Sequence, residues 1–210
     1  MLPPTIPIFP LPGTVLFPNV FLPLHVFEPR YREMVSDAVE SDRIIGMVLL
    51  RPGWEHDYEG RPPVYEVGCA GLMTHVERLN DGRYNIVLHG MEKFRILDES
   101  GDRAYREARI ESIVEDCAAG DRDALRDARQ RLESLIVPAA DHGAVERRVP
   151  ATMPDVDLVN ALAQYLELEP LERQALLERD GPLQRCYSLI ELLEMKVMLA
   201  RHQWAGGGQH

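Results

Sequence analysis

The spacing of apolar residues changes near residue 116 and divides the chain into two parts. Before that point, short runs rich in Val, Ile, Leu and Phe are separated by turn residues, which is the pattern of β-strands. After it, apolar residues recur at intervals of three and four, as on amphipathic helices. We therefore predict an α+β protein with a β lobe over 1–116, which includes one short helix near 29–40. A helical lobe over 117–205 and a flexible tail over 206–210 follow.

The strongest local signal in the β lobe is a hairpin. Asn80-Asp81-Gly82 separates two strand-like segments, 66–79 and 83–97, and Asp-Gly between such segments is typical of a tight β-turn. Both arms exceed the usual strand length of five or six residues. Long arms that contain glycines tend to bend and coil, so we expect a small, strongly curled barrel rather than a flat sheet.

Residues 1–29 are apolar, yet they hold eight of the sixteen prolines and no Lys or Arg. Proline disrupts helix interiors, and a secretory signal needs a positively charged start. We therefore expect extended strands here rather than a signal peptide. No proline-free apolar run reaches the 18 residues of a membrane span, so no membrane partner is expected.

The formal net charge of −11 is spread along the chain. Residues 1–116 carry 12 basic and 19 acidic side chains, and residues 117–210 carry 11 and 15. Neither part offers the basic field that nucleic acid requires, so nucleic acid is an unlikely partner. The three cysteines form no CxxC pair. We expect reduced thiols and a cytoplasmic location.

Catalytic motifs are missing from the sequence. Its only lysines, Lys93 and Lys196, follow Glu92 and Met195, so no Gly-Lys-Ser/Thr of a P-loop exists. No serine stands in G-x-S-x-G, and no HExxH occurs. We expect both lysines to be solvated surface residues. The sequence predicts no enzyme and no cofactor.

Six residues are candidates for binding: His25, Phe27, Glu28, Arg30, Tyr31 and Trp54. Each also has a structural interpretation. Glu28 and Arg30 flank Pro29 at a strand-to-helix junction, where they would cap the helix and tie it to the barrel. Phe27 and Tyr31 would be core or rim aromatics, and Trp54 is equally suited to anchoring its own loop.

Three histidines fall in the β lobe, namely His25, His75 and His89. Their wide spacing favours ordinary packing and hydrogen bonding over metal binding. No metal site is predicted.

Several segments carry a family resemblance. IPIFPLPGTVLFPNVFLPLHVFEPRYREMV (6–35) is similar to the opening of the amino-terminal, substrate-binding domain of Lon proteases. IGMVLL (45–50), YEVGCAGLMTHVERLNDGRYNIVLHGMEKFRIL (65–97), YREARI (105–110) and LVNALAQYLELEPLERQALLE (158–178) match in order. The chain most resembles short bacterial proteins that consist of that domain alone. One departure is Asn19, where such proteins more often have Gly.

The resemblance implies a PUA-like β pseudo-barrel lobe followed by a helical lobe. It also implies a non-catalytic module that binds unfolded or tagged proteins and peptides. The ATPase and protease modules of full-length Lon have no counterpart in these motifs. A separate protease and a second copy of the chain stay open as partners. The alternative is an RNA-binding protein, because PUA-like barrels elsewhere bind RNA.

Overall fold

A computed structural model describes residues 2–58, 60–101, 103–116, 120–136 and 153–206, with the backbone alone at 57 and 200–206. The chain forms two compact units. Unit 1 comprises residues 1–115 and 160–178, and unit 2 comprises 116–159 and 179–210. The lobe boundaries expected from the sequence stay a prediction. The expected tail and Cys117 lie outside the described residues, apart from the backbone of residue 206.

Unit 1 contains the six strands of the described chain. They are β1 (Thr5–Leu11), β2 (Phe21–Val26), β3 (Ile44–Leu49), β4 (Val67–Arg78), β5 (Tyr84–Ser100) and β6 (Arg106–Ile113). Their order in the sheet is β2-β5-β4-β3-β1-β6. β1 and β3 are parallel, and the other neighbouring pairs are antiparallel.

The sheet curls because its longest strand has three partners. β5 pairs with β2, β4 and β6, so the two ends of the sheet approach each other. The registers shift between Cys69 and Gly71, between Met73 and His75, and between Ile96 and Asp98. Such irregularities increase the local twist and bend a strand. The result is the pseudo-barrel of the predicted α+β fold.

One core cluster of unit 1 is aliphatic and surrounds a single phenylalanine. Phe94 is completely buried there. The other buried members are Leu2, Ile6, Ile8, Ile44, Val48, Leu50, Val64, Ala70, Ala108 and Ile110. Burying such side chains stabilises each by about 1.5–3 kcal/mol relative to exposure.

Three helices contribute to unit 1: α1 (Pro29–Val39), the second half of α3 (Asp155–Tyr165) and α4 (Pro170–Leu177). Pro29 occupies the first turn of α1, where a missing N–H costs nothing. α3 holds the segment before β2 by two side chains. The backbone N–H of Phe17 donates to Gln164 Oε1 (3.1 Å), and Asn160 donates to the carbonyl of Pro18 (3.0 Å).

Unit 2 contains α2 (Asp121–Ile136), the start of α3 and α5 (Gly181–Gly206). Arg129 of α2 is almost fully buried. Its guanidinium donates to Glu133, to Asp155 and to the carbonyl of Met153, at 2.6–2.8 Å. These charge-assisted bonds join α2 to α3 within the unit. Among the described residues, no helix is long and apolar enough to cross a membrane.

The structure corrects the prediction for one of the two lysines. Lys93 was expected at the surface, but its side chain is 3% exposed. Its ammonium lies 2.8 Å from Glu115 and donates to the carbonyl of Leu177 at 2.9 Å. A buried ammonium needs such partners because burial removes its hydration. Lys93 therefore joins β5 to the end of α4.

Candidate functional site

Strand β2 is an edge strand, since it pairs with β5 alone among the described strands. The backbone N–H of Gly90 donates to the carbonyl of Val20 at 2.9 Å, which makes these two residues a hydrogen-bonded pair. Antiparallel pairs alternate between hydrogen-bonded and non-bonded positions. Phe21, Pro23 and His25 therefore turn their backbone groups away from β5, toward the open side of the edge.

Two features close this open side to a further strand. Pro23 has no N–H to donate at its outward position. The hydroxyl of Tyr165 donates to the outward carbonyl of Phe21 at 2.7 Å. Edge strands that lack such protection readily pair with another chain. We therefore expect contact at β2 to be made by side chains rather than by added strand hydrogen bonds.

The side chains on this part of the sheet form an exposed apolar surface, which we call the β2 face. Phe21 is 51% exposed and Phe27 is 60% exposed. The Phe21 ring lies 4.6 Å from that of His89, and the His25 and Phe27 rings stack at 6.3 Å. The β2 face consists of Phe21, Pro23, His25, Phe27, Val87 and His89.

His25 is held in one orientation by polar neighbours. Its Nδ1 lies 2.8 Å from Asn85 Oδ1, and its Nε2 lies 3.2 Å from Arg83 Nη1. A guanidinium only donates, so Nε2 accepts and Nδ1 donates. This arrangement aligns the imidazole with the exposed ring of Phe27.

A second feature of unit 1 is a cleft of about 240 Å³, which we call the arginine cleft. Its apolar walls include Pro10, Leu50 and Pro62. Four arginines and three tyrosines provide most of its remaining lining: Arg30, Arg61, Arg103, Arg106, Tyr31, Tyr58 and Tyr105.

At one wall of the cleft, Arg30 is fixed on all sides. Its guanidinium lies 4.7 Å from the centre of the Tyr31 ring and 5.1 Å from that of Tyr58. It is 3.0 Å from the Glu28 carboxylate and donates to the carbonyl of Tyr58 at 3.2 Å. Glu28 also accepts a 2.6 Å bond from the Tyr58 hydroxyl. Glu28 occupies the position that caps α1, but its side chain makes no capping bond.

The other arginines of the cleft also have partners. Arg106 donates to both oxygens of Glu99 and to the carbonyl of Pro62, at 2.6–2.7 Å. Arg103 donates to Asp37 at 2.9 Å, and the Tyr105 hydroxyl donates to the same carboxylate at 2.9 Å. Arg103 and Arg106 are therefore each paired with a carboxylate.

The three tyrosines stay protonated at neutral pH. Burial raises the pKa of Tyr31 to about 12. Burial, together with the hydrogen bond to Asp37, raises the pKa of Tyr105 well above its ordinary value. Burial and the bond to Glu28 raise that of Tyr58. The charge of the cleft is therefore set by its arginines and by their carboxylate partners.

Five of the six sequence candidates fall into two groups. His25 and Phe27 belong to the β2 face. Glu28 and Arg30 belong to one wall of the cleft, where the buried Tyr31 lies beneath the guanidinium of Arg30. Trp54 is half-buried in a single 3-10 turn, and its ring contacts that of Tyr58 at 5.4 Å.

Sequence reasoning missed Phe21 on the face and Tyr58, Arg61, Arg103 and Arg106 in the cleft. The alternation of Leu22, Leu24 and Val26 with the positions between them along β2 was a usable sequence signal for Phe21. The arginines lie on separate segments, and no local pattern links them. No group of His, Cys, Asp and Glu among the described residues is arranged to hold a metal ion.

Comparison with known proteins places this geometry in a family. The model of the ATP-dependent protease La (LON) substrate-binding domain matches residues 5–195. The chain belongs to the Lon substrate-binding domain family. A Lon protease 2 from Myxococcus xanthus is 27% identical over 201 residues, and one from Syntrophobacter fumaroxidans is 31% identical over 183. The matches cover 93% and 84% of this chain but 24% and 22% of those proteins, so the chain spans about a quarter of the length of these Lon relatives.

Solved Lon domains share the fold. The Lon N-terminal domain protein from Xanthomonas campestris superimposes with a TM-score of 0.62 at 22% identity, over 89% of this chain and 97% of that one. The N-terminal domain of the Mycobacterium avium complex Lon protease gives a TM-score of 0.65 at 16% identity, over 90% and 98%. The Lon N-terminal fold thus extends over most of this chain.

Proposed function

We propose that this chain is a non-catalytic substrate-recognition module that binds exposed apolar segments of unfolded or tagged proteins through the β2 face. One observation carries the proposal. Two phenylalanine rings stand more than half exposed beside a sheet edge that is closed to strand addition. Large exposed aromatic surfaces usually mark contact sites.

The closed edge defines the mode of binding. Binding by strand addition depends on hydrogen bonds to the extended backbone of the ligand. The β2 face instead presents side chains, mainly aromatic rings, a proline ring and a valine. Such a surface accepts any segment that offers apolar side chains. This tolerance suits a module whose ligands share exposure of apolar residues rather than a common sequence.

Catalysis is not part of the proposal. The sequence has no P-loop, and Lys93 is engaged by Glu115 and by the carbonyl of Leu177. The purified chain should neither hydrolyse ATP nor cleave the proteins it binds, and a cytoplasmic location fits its reduced thiols. Degradation of a bound protein would need a separate protease.

The test is a binding assay in which fluorescence anisotropy detects binding to a labelled model protein. The model protein is reduced and carboxymethylated so that it stays unfolded. We expect the double variant Phe21→Ser/Phe27→Ser to bind about tenfold more weakly, because central aromatic anchors dominate such contacts. The matched control is Leu97→Ser/Val114→Ser. Both control residues are exposed apolar side chains elsewhere in unit 1, at 46% and 76%.

The control should bind within twofold of the native chain. Circular dichroism and thermal melting establish that both variants fold. Equal losses in the two variants, or no binding by the native chain, would show that the β2 face is not the recognition surface.

A further inference from the structure

The arginine cleft holds one positive charge more than its described partners balance. Four guanidinium groups line it, and three carboxylates contact them, those of Glu28, Asp37 and Glu99. The chain as a whole carries a net charge of −11. A cationic excess in such a chain is a local feature of this cleft rather than a reflection of its composition.

The excess resides on Arg61. Arg30, Arg103 and Arg106 each contact a carboxylate, at 3.0, 2.9 and 2.6 Å. Arg61 has no acidic partner among the described residues, and it donates from Nη1 to the carbonyl of Ser100 at 2.8 Å. A guanidinium group has five N–H donors, so the remaining donors of Arg61 are available to a ligand.

The other arginines form a fixed setting around Arg61. The guanidinium of Arg30 lies 4.7 Å from the centre of the Tyr31 ring and 5.1 Å from that of Tyr58, and Arg106 donates two bonds to Glu99. Groups held in this way need no reorganisation when a ligand enters, which lowers the entropic cost of binding.

The charge balance identifies the chemistry of the ligand. A ligand with a single negative charge neutralises the excess positive charge. A doubly charged phosphate would instead leave one negative charge without a partner. A carboxylate also matches the planar donor fork of a guanidinium. The apolar side chains of Pro10 and Leu50 line the same cleft and can contact the carbon chain that bears the carboxylate.

We infer that the arginine cleft binds the carboxylate of a peptide, received by Arg61, as a second recognition point in addition to the β2 face. This inference rests on the proposed function, since it names a feature of the substrate. The cleft volume of about 240 Å³ admits a terminal residue rather than a long segment. The carboxylate therefore comes from the C-terminus of a peptide or from an acidic side chain.

A tryptophan next to a cleft residue can report on ligand binding. The chain has two tryptophans, Trp54 and Trp204, and the Trp54 ring contacts Tyr58, which lines the cleft. In the full chain with Trp204→Phe, tryptophan emission reports on Trp54 alone. The titrants are acetyl-Ala-Leu-Ala with a free carboxylate, the same peptide as its C-terminal amide, acetyl-Ala-Glu-Ala amide, and inorganic phosphate.

The free acid should bind about tenfold more tightly than its amide, because a charge-assisted bond to a guanidinium is worth about that factor. Arg61→Gln should abolish this preference and leave binding of the amide unchanged. The matched control Arg126→Gln removes an exposed arginine of α2 that lies 3.6 Å from Asp123, and it should keep the full preference. Binding of acetyl-Ala-Glu-Ala amide as tightly as the free acid would assign the carboxylate to a side chain, and weaker binding would assign it to the C-terminus.

Three results would overturn the inference: equal affinity for acid and amide, a preference that survives Arg61→Gln, or phosphate binding at least as tight as the free acid. Glu59 and Asp102 neighbour the cleft in sequence and lie outside the described residues, and only the backbone of their neighbour Asp57 is described. The titrations are therefore repeated with Asp57→Asn, Glu59→Gln and Asp102→Asn, and a preference seen only in these variants would also overturn the inference.

This test is separable from that of the β2 face. If denatured protein binds through Phe21 and Phe27 but acid and amide peptides bind equally, the proposed function stands and the carboxylate site fails. If the carboxylate preference is observed but denatured protein does not bind through Phe21 and Phe27, the carboxylate site is supported and the proposed role of the β2 face is wrong.

Discussion

The hydroxyl of Tyr165 donates a 2.7 Å hydrogen bond to the carbonyl oxygen of Phe21, on the side of β2 that faces away from β5. A side chain of α3 thereby occupies a backbone carbonyl that could otherwise accept a hydrogen bond from another strand. Pro23, two residues further along, supplies no donor on the same side. The exposed aromatic rings of the β2 face thus stand beside an edge that resists sheet extension.

Removing both protections should make the chain self-associate. Pro23→Val restores an outward N–H, and Tyr165→Phe releases the carbonyl of Phe21. We expect the double variant to form dimers and larger species at concentrations where the native chain keeps its own association state, as measured by sedimentation velocity. Tyr187→Phe serves as control, since Tyr187 is an exposed tyrosine of α5. An unchanged sedimentation profile for the double variant would mean that the edge is protected by other means.

The Lys93–Glu115 pair should contribute strongly to the stability of unit 1. Lys93→Met removes the ammonium from a carboxylate that is 11% exposed and from the carbonyl of Leu177. Breaking a buried pair typically costs about 3–5 kcal/mol. We expect a loss at the low end of that range in urea unfolding, with partial recovery in Lys93→Met/Glu115→Leu.

Lys196→Met is the natural control, because Lys196 is the only other lysine and lies on the partly exposed side of α5. It should change the free energy of unfolding by less than about 0.5 kcal/mol. Similar effects of the two lysine substitutions would contradict the structural role of Lys93.

Gly90 should tolerate no side chain. A Cβ at this position would lie 2.0 Å from the carbonyl oxygen of Phe17, which is backbone and has little freedom to move. Gly90→Ala should therefore destabilise the fold by about 2 kcal/mol or more. A Cβ at Gly13 would meet nothing within 4 Å, so Gly13→Ala should be nearly neutral. Matching urea midpoints for the two variants would show that the backbone near Phe17 shifts freely.

Two thiols should be inert in the folded chain. The thiols of Cys69 and Cys186 are completely buried. Burial raises the pKa of Cys186 to about 11, so at pH 8 only about one thiol in a thousand is ionised. In a Cys117→Ser variant, a thiol reagent such as DTNB should label no site at pH 8. Both thiols should react after denaturation in guanidinium chloride, and rapid labelling of the folded variant would refute the prediction.

Local sequence signals predicted much of this fold. Asn80-Asp81-Gly82 marked the hairpin, and Gly82 indeed adopts a positive φ of 82° between β4 and β5. Pro29 marked the start of α1. Asn19, the one departure from the family pattern, has a φ of 61°. Glycine adopts this left-handed conformation freely and asparagine tolerates it. This explains why family members more often have glycine here and why asparagine can replace it in this chain.

Long-range relationships were beyond the sequence. Whether a lysine on a strand lies in solvent or in the core depends on partners such as Glu115 and Leu177, which come from distant segments. The arginine cleft depends in the same way on Arg30, Arg61 and Arg106, which separate elements bring together. His25 and Phe27 were named as binding candidates from their residue types close to the strand-to-helix junction, which is local information. Their alignment with Phe21 and His89 required the register of β2 on β5.

The position of β1 has a consequence for the order of events during synthesis. β1 lies between β3 and β6, with Ile8 opposite Gly46 on one side and Ile6 opposite Ala108 on the other. The ribosome therefore makes this strand before either of its neighbours, and its second neighbour follows about a hundred residues later. Until β6 has been synthesised, β1 has no partner along one of its two edges. Its prolines, which cannot donate strand hydrogen bonds, limit mispairing during that interval.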